Sequence, residues 1–510
     1  MRIAKPRPNL AIRSAIGIVV ALASPAALRA ADPVPQTPIR HVVVIFDENN
    51  SFDHYFGTYP HAANPPGEVP FHPLPGTPSV NGLSGPILTH NPNAARPFRL
   101  DRSQPVTCDM DHRYSAEQKA YNAGLMNRFV EATTEYAAKE KSCDPKIVMG
   151  HYDGNTVTAL WMYAQHFALN DNTFGTVFGP STPGALNLFA AQTSGADQRD
   201  IPGQTVGNTV ISDPDPLHDD CSERPVLSIS NVRTLGDLLN EAGLSWGWFQ
   251  GGYRPTRSAA DSGDGRAKCE RKGRNAAGAE IRDYSPHHNP VAYYSQFQNP
   301  HHLPPTSVAM IGRSDQAMHQ YDLEDFWRVV GNGALPAVSF LKAKAAQDGH
   351  PGYSGPLDEQ QFLVETINRL QRSPHWPNMA IIIAYDDSDG WYDHVMPPIV
   401  RMSESKYDFL TGDGRCGTAA AGEAPGRCGY GPRLPLLVIS PHARRNFVDH
   451  TLLDQTSIAR FIEDNWNLPR LGGDAMDQYA GSLAAMFDFG SPARTDTLIL
   501  DPRTGTRPTQ

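Results

Sequence analysis

No stretch of this chain is both apolar and long enough to cross a membrane. The longest apolar run, residues 14–27, falls short of the roughly 20 residues that a spanning helix needs. Positive charge is not in surplus either: 44 Lys and Arg stand against 54 Asp and Glu, for a formal net charge of −10. A general nucleic-acid binder would show the opposite balance, so an anionic ligand must be met by a local positive site, such as a metal ion or histidines. Cysteine is scarce. There are six, and none has the CxxC spacing of a metal knuckle. Internal repeats and long low-complexity linkers are also missing, so nothing in the composition cuts the 510 residues into separate domains.

The N-terminus carries a basic leader (Arg2, Lys5, Arg7, Arg13), then the apolar run, then Leu28-Arg29-Ala30. That order is the pattern of a secretory signal peptide over residues 1–30. Without an adjacent Arg-Arg pair it does not read as a twin-arginine signal. Residues 31–510 are then the mature protein, placed in the periplasm or outside the cell. In that oxidising setting an even number of cysteines predicts disulfides. Of the 15 pairings that six cysteines allow, sequence order suggests Cys108–Cys143, Cys221–Cys269 and Cys416–Cys428.

Continuous β-branched runs at residues 41–46, 379–385 and 433–440 predict strands buried on both faces. Residues 244–249 and 337–341 are further strands. Helices are predicted over residues 115–141, from Pro183 to about 191, from Pro356 to about 372, and from a cap at Asp454 to 466. Strands alternating with helices imply an α/β fold, a mainly parallel central sheet flanked by helices. Residues 60–106 and 405–430, rich in Pro, Gly and small residues, read as long loop insertions in a single domain.

Three distant segments look like parts of one site. Glu48-Asn49 and Asp386-Asp387 each follow a buried strand, where open α/β sheets place ligands. Adjacent carboxylates repel unless a cation neutralises them, and all-oxygen ligation favours Mg, Ca or Mn. Solvated loop acids are the plainer alternative. The third segment, Gly179-Pro-Ser-Thr-Pro-Gly184, puts Ser181 at a helix N-terminus that favours anions. Ser181 can be a nucleophile activated by a metal or a plain N-cap, and Thr182 is the other hydroxyl. His112, His151, His287-His288, His301-His302, His350 and His394 could hold phosphoryl oxygens or protonate a leaving group. Spacing does not choose among them.

These segments resemble the bacterial phosphoesterase family that joins phospholipases C with secreted acid phosphatases, within the alkaline-phosphatase-like superfamily. VVVIFDENNSFDHYFG (42–57), CDMDH (108–112), residues 118–130, GPSTPGALNL in 169–188, SPHHNPVAYY (285–294), AYDDSDGWYDH (384–394), residues 430–440 and 447–450 look like its blocks in order. One departure is Asn50, where the common form has Arg. By position the resemblance makes Glu48, Asn49, Asp386, Asp387 and Ser181 ligands of one divalent metal, and Ser181 the nucleophile. It places His112, His287, His288 and His350 around the phosphate, with catalytic roles for His112, His288 and His350. The Ser-Thr-Pro-Gly form is closer to the acid phosphatase branch. The expectation is therefore a broad acid phosphatase using a phosphoserine, with a phospholipase C-type phosphodiesterase as alternative and a non-catalytic phosphate- or lipid-binding protein third. Its substrate would be a phosphomonoester, or a phospholipid met in transient contact with a lipid surface. Nucleic acid is not expected as a partner.

Overall fold

The computed structural model describes residues 1–2, 4, 33–104, 106–133 and 143–508. The chain falls into two units, Met1–Ala31 and Asp32–Gln510. Every regular element among the described residues belongs to the second. Most of the segment read as a signal peptide lies outside the described residues. Among those described, no helix is long and apolar enough to cross a membrane.

The apolar runs form the centre of an eight-stranded sheet. In chain order the strands are β1 (His41–Asp47), β2 (Ala168–Asn170), β3 (Trp246–Gln250), β4 (Gln320–Asp322), β5 (Val338–Lys342), β6 (Met379–Tyr385), β7 (Leu436–Ile439) and β8 (Phe447–Asp449). Their order across the sheet is β4-β3-β5-β1-β6-β7-β2-β8. Only β7 runs against its neighbours; every other pairing is parallel. The strands of the centre are buried on both faces, which is why they read as unbroken Val, Ile and Leu rather than as alternation.

Register then brings the site together. β1 sits between β5 and β6, with Asp47 opposite Tyr385. The next residue on each strand is Glu48 or Asp386, so Glu48-Asn49 and Asp386-Asp387 leave the same end of the sheet side by side.

The α-helices of seven or more residues among the described residues are α1 (Tyr114–Tyr121), α2 (Thr158–His166), α3 (Ser181–Ala190), α4 (Leu235–Glu241), α5 (Leu323–Gly331), α6 (Pro356–Gln371) and α7 (Thr456–Trp466). All ten residues of α3 are buried. The helix expected over residues 115–141 is broken. After α1 the backbone turns left-handed at Asn122, Ala123 and Gly124, which ends the helix and leaves Leu125 exposed. A short helix, Phe129–Ala132, follows, and residues 134–142 lie outside the described residues. Asp454 precedes α7 by two residues. Its carboxylate still accepts from the Thr456 N–H (3.3 Å) and from the Thr176 hydroxyl (2.7 Å). Among the described residues, 60–106 hold only Pro86–Thr89 and Phe98–Arg99 as regular elements, and 405–430 hold none.

The three disulfides are the three expected from sequence order, and no cysteine is free. Beside Cys221–Cys269 lies His302, fully buried. Its Nδ1 donates to the Tyr253 carbonyl (2.7 Å) and its Nε2 to Asp219 Oδ1 (2.8 Å). Burial disfavours the imidazolium, but the Asp219 carboxylate outweighs it and holds the His302 pKa above its ordinary value. Stability from a raised histidine pKa is fully present below the unfolded value, about 6.5, and is lost as pH rises through the folded one. His302→Gln is therefore expected to cost about 1–3 kcal/mol at pH 5.5 and clearly less at pH 9. Thermal melts at both pH values check this, and equal losses would refute it.

Candidate active site

Ser181 is the first residue of α3, and the cap position is taken by Pro180, which has no side-chain oxygen. The Ser181 hydroxyl is thus not used as an N-cap. Its Oγ lies 3.1 Å from Asp387 Oδ2 and 3.4 Å from Glu48 Oε2. Thr182 faces elsewhere: its Oγ1 is 3.4 Å from both the His287 carbonyl and the Tyr293 hydroxyl, while its N–H donates to Asp213 (2.9 Å). Two glycines shape the turn. Gly179 sits at φ +122°, and a Cβ on Gly184 would stand 2.1 Å from the Asp386 carbonyl oxygen. Close approach of α3 to the Asp386 backbone therefore requires glycine at 184.

The four predicted acidic and amide residues do converge. Asp386 Oδ1 accepts from the backbone N–H of Asn49 (3.2 Å) and of Asp387 (2.8 Å), tying the two strand ends together. Asn49 takes a left-handed conformation, φ 51°, which asparagine tolerates. Lys342 is the last residue of β5, on the other side of β1. Its ammonium pairs with Glu48 Oε1 and lies 3.7 Å from Asp386 Oδ2, fully enclosed. Sequence reading missed it, because a lysine after an apolar strand normally reads as solvated. Asp348, close to Glu48 and His288, was missed as well.

One ammonium does not balance these acids. Burial, and then Asp386, push the Glu48 pKa well above the carboxylate range. Burial does the same to Asp387, with His112 opposing and Asp386 adding. Asn49 supplies the sharper test: its side chain is wholly buried, yet neither Oδ1 nor Nδ2 has a hydrogen-bond partner among the described residues. An orphaned buried amide costs about 1–3 kcal/mol. A divalent cation held by Glu48, Asn49, Asp386, Asp387 and Ser181 would satisfy the amide oxygen and discharge the carboxylates. The donors are all oxygen, so the residues fit a hard metal ion.

Four histidines border this set. His288 Nδ1 lies 3.0 Å from Glu48 Oε1, and its Nε2 is buried without a partner among the described residues. His287 stacks edge-on against it at 4.1 Å. Both follow from the tight turn Pro286–His288. His350 and His112 have ring centres 5.9 Å apart. Burial lowers the pKa of His287, His288 and His350. His112 differs. Burial opposes its charge, but Asp387, Asp389 and Asp109 together hold it protonated well above the ordinary histidine value. Its Nδ1 donates to the Met110 carbonyl (2.8 Å) and lies 3.2 Å from Asp389 Oδ1. Asp389, at φ 53°, is pushed up to about 8, by burial first. The remaining sequence candidates take other partners: His301 pairs with Asp220 (2.8 Å) and His394 with Asp53 (2.6 Å). His302 belongs to Asp219, and His151 is a neutral, buried ring.

Comparison with known proteins gives a consistent result. A family model described as "Phosphoesterase family" matches residues 39–469. The chain is 26% identical over 507 residues to a non-hemolytic phospholipase C of Pseudomonas aeruginosa, covering 94% of this chain and 63% of that protein. It is 25% identical over 511 residues to phospholipase C B of Mycobacterium tuberculosis, covering 96% and 87%. The chain thus spans less than two thirds of the length of the Pseudomonas protein. Among solved structures, murine ectonucleotide pyrophosphatase/phosphodiesterase 5 aligns at 10% identity and a TM-score of 0.33, over 65% of this chain and 95% of that one.

Proposed function

The chain belongs to the Phosphoesterase family, and from that premise we propose that it is a metal-dependent hydrolase of phosphoric esters that works through a phosphoserine at Ser181. The observation that carries this reading is the Ser181 hydroxyl, free of any capping role and set against Asp387 and Glu48 at a helix N-terminus. Glu48, Asn49, Asp386, Asp387 and Ser181 are the residues that would hold the cation. Once bound, Mg, Ca or Mn would lower the hydroxyl pKa and neutralise phosphoryl charge.

The residues divide the remaining work. Ser181 Oγ gives its proton to Asp387 Oδ2 and attacks phosphorus in line with the leaving oxygen. His287, His288 and His350 line the place of the phosphoryl group; each Nδ1 faces an acceptor (Asp215, Glu48 and the Pro351 carbonyl), so each Nε2 donates to a phosphoryl oxygen only as the imidazolium, the form that a bound phosphate dianion favours. His112, held protonated, gives its proton to the leaving alcohol as the P–O bond breaks. A water then attacks the phosphoserine and passes a proton to the now neutral His112. Ser181 recovers its proton from Asp387, phosphate leaves, and the site is restored.

Phosphomonoesters are the first substrate class, because every polar group of the site is buried and three histidines plus a charged fourth suit a phosphate dianion. A phospholipase C-type diesterase is the second reading, favoured by the phospholipases C among the relatives, and it would act at a lipid surface. The leader and the three disulfides support export. Side-by-side assays of p-nitrophenyl phosphate and p-nitrophenylphosphorylcholine separate the two readings. A preference for the choline diester would overturn the monoesterase reading, and turnover of neither would overturn both. Chelation is expected to lower turnover at least about a hundredfold and to lower the melting temperature, since a cation bound only to the native state stabilises it. Readdition of one of the three metals restores both. Full activity in metal-free protein would end the metal-dependent scheme.

A further inference from the structure

Glu117 stands outside every segment that carries the chemistry. It lies on α1 and is almost entirely buried, 1% exposed. Its carboxylate touches two loops at once. Oε2 accepts from the Gly179 N–H (2.8 Å), and Oε1 accepts from the Ser388 hydroxyl (2.7 Å). Gly179 begins the turn that ends in Ser181, and Ser388 directly follows Asp387. Ser388 Oγ in turn accepts from the Gly390 N–H (3.1 Å), so the bridge reaches through the loop after β6. Among the described residues no cation forms a close ion pair with Glu117; burial pushes its pKa up to about 7, against the two hydrogen bonds and the more distant charge of His112. A buried carboxylate placed without a counter-ion is costly unless its hydrogen bonds are needed. An apolar side chain of the same shape would leave the Gly179 N–H and the Ser388 O–H with nothing to bond.

We propose that Glu117 is a positioning residue: it clasps the Ser181 turn to the Asp386–Asp387 loop and so sets the spacing between the Ser181 hydroxyl and Asp387. The proposal rests on the reading of Ser181 as nucleophile. Glu117 reaches neither phosphate nor reacting atom, and it acts only through the two backbones it joins. The clasp works beside one other contact between the same elements, the close approach of Gly184 to the Asp386 carbonyl. Two anchors on either side of Ser181 fix an attack geometry that an error of about 1 Å would degrade by about a hundredfold. A single carboxylate can hold both loops because it offers two acceptor oxygens. A carboxamide can keep both arms, its oxygen accepting from Gly179 and its NH2 donating to the rotatable Ser388 hydroxyl, so Glu117→Gln is the conservative control, whereas Glu117→Met keeps the length and opens both arms. Ser388→Ala opens one arm without touching α1.

The test uses the full chain loaded with metal and two independent readouts. The first is steady-state kinetics with p-nitrophenyl phosphate. Glu117→Met is expected to lose at least about tenfold in kcat with KM within about twofold, because positioning is lost rather than binding, and Glu117→Gln is expected to recover most of that loss. Ser388→Ala is expected to lose less, and the double variant no more than Glu117→Met alone, since both cut one bridge. Unchanged kcat, a loss confined to KM, or losses that multiply would overturn the clasp. The second readout is amide hydrogen exchange in peptides covering residues 176–182 and 386–391. Exchange is expected to quicken at least about tenfold in both peptides of Glu117→Met while peptides from α6 stay unchanged. Exchange that rises in one peptide only, or throughout the chain, would overturn it as well. Because exchange needs no turnover, it judges the clasp even if Ser181→Ala proves active and the nucleophile reading falls.

Discussion

Replacing Ser181 by alanine is expected to lower turnover at least about a thousandfold while leaving the fold intact, since a covalent route is lost with its nucleophile. Folding survives because Pro180, not Ser181, occupies the cap position of α3, and the hydroxyl meets only side-chain carboxylates. Deleting it removes one donor from a crowded acidic site, a change of about 1 kcal/mol at most. The decisive measurement is an acid quench at short times with a substrate labelled in the phosphoryl group. Label should appear on a peptide containing Ser181 in the wild type and nowhere in the variant. Label on Thr182 would contradict the observed geometry, in which the Thr182 hydroxyl points to His287 and Tyr293. Label on a histidine would retain the family and replace the mechanism. Near-full activity in a folded Ser181→Ala protein would end the phosphoserine scheme.

A methyl group at position 184 should do nearly as much damage from one turn further along the helix. Gly184→Ala gains up to about 1 kcal/mol of helix propensity, yet its Cβ would stand 2.1 Å from the Asp386 oxygen and 2.8 Å from the carbonyl carbon. These are backbone atoms at the end of a central strand, so no flexible side chain can swing away. Overpacking of this kind costs about 1–3 kcal/mol and outweighs the propensity. α3 must retreat from Asp386, and Ser181 Oγ retreats with it. The expected result is a folded protein with a lowered melting temperature and at least about a hundredfold lower kcat/KM. Native stability with native turnover would show that the helix does not rest on the Asp386 backbone.

The site was legible where chemistry and strand ends coincide. Glu48-Asn49 and Asp386-Asp387 each follow an apolar run too long and too β-branched to be anything but a central strand, and the parallel pairing of β1 with β6 makes them neighbours. The groups that support them were hidden. Lys342, Glu117 and Asp389 show their roles only through partners tens to hundreds of residues away, and nothing local marks them. Choosing His112, His287, His288 and His350 over His151, His301, His302 and His394 needed the fold family as well as the residues. Strands β2, β4 and β8 have three residues each, too few for any periodicity. The helix across residues 115–141 failed on a visible signal, since Asn122-Ala-Gly124 is a stop that the apolar pattern beyond it obscured.

The register of β1 also bears on when the protein can act. Val42 pairs with Val338 and with Ala380, so the central strand finds its neighbours only after most of the chain exists. Contacts so distant in sequence carry a large loop-closure entropy and form late in folding. Ser181, Lys342 and Asp386 likewise meet only once those pairings are made. A chain that is still being synthesised, or that is threaded unfolded through a membrane, holds every reactive residue and no assembled site. On the proposed reading of an exported phosphoesterase, phosphate esters on the near side of that membrane would be spared by the order of assembly itself.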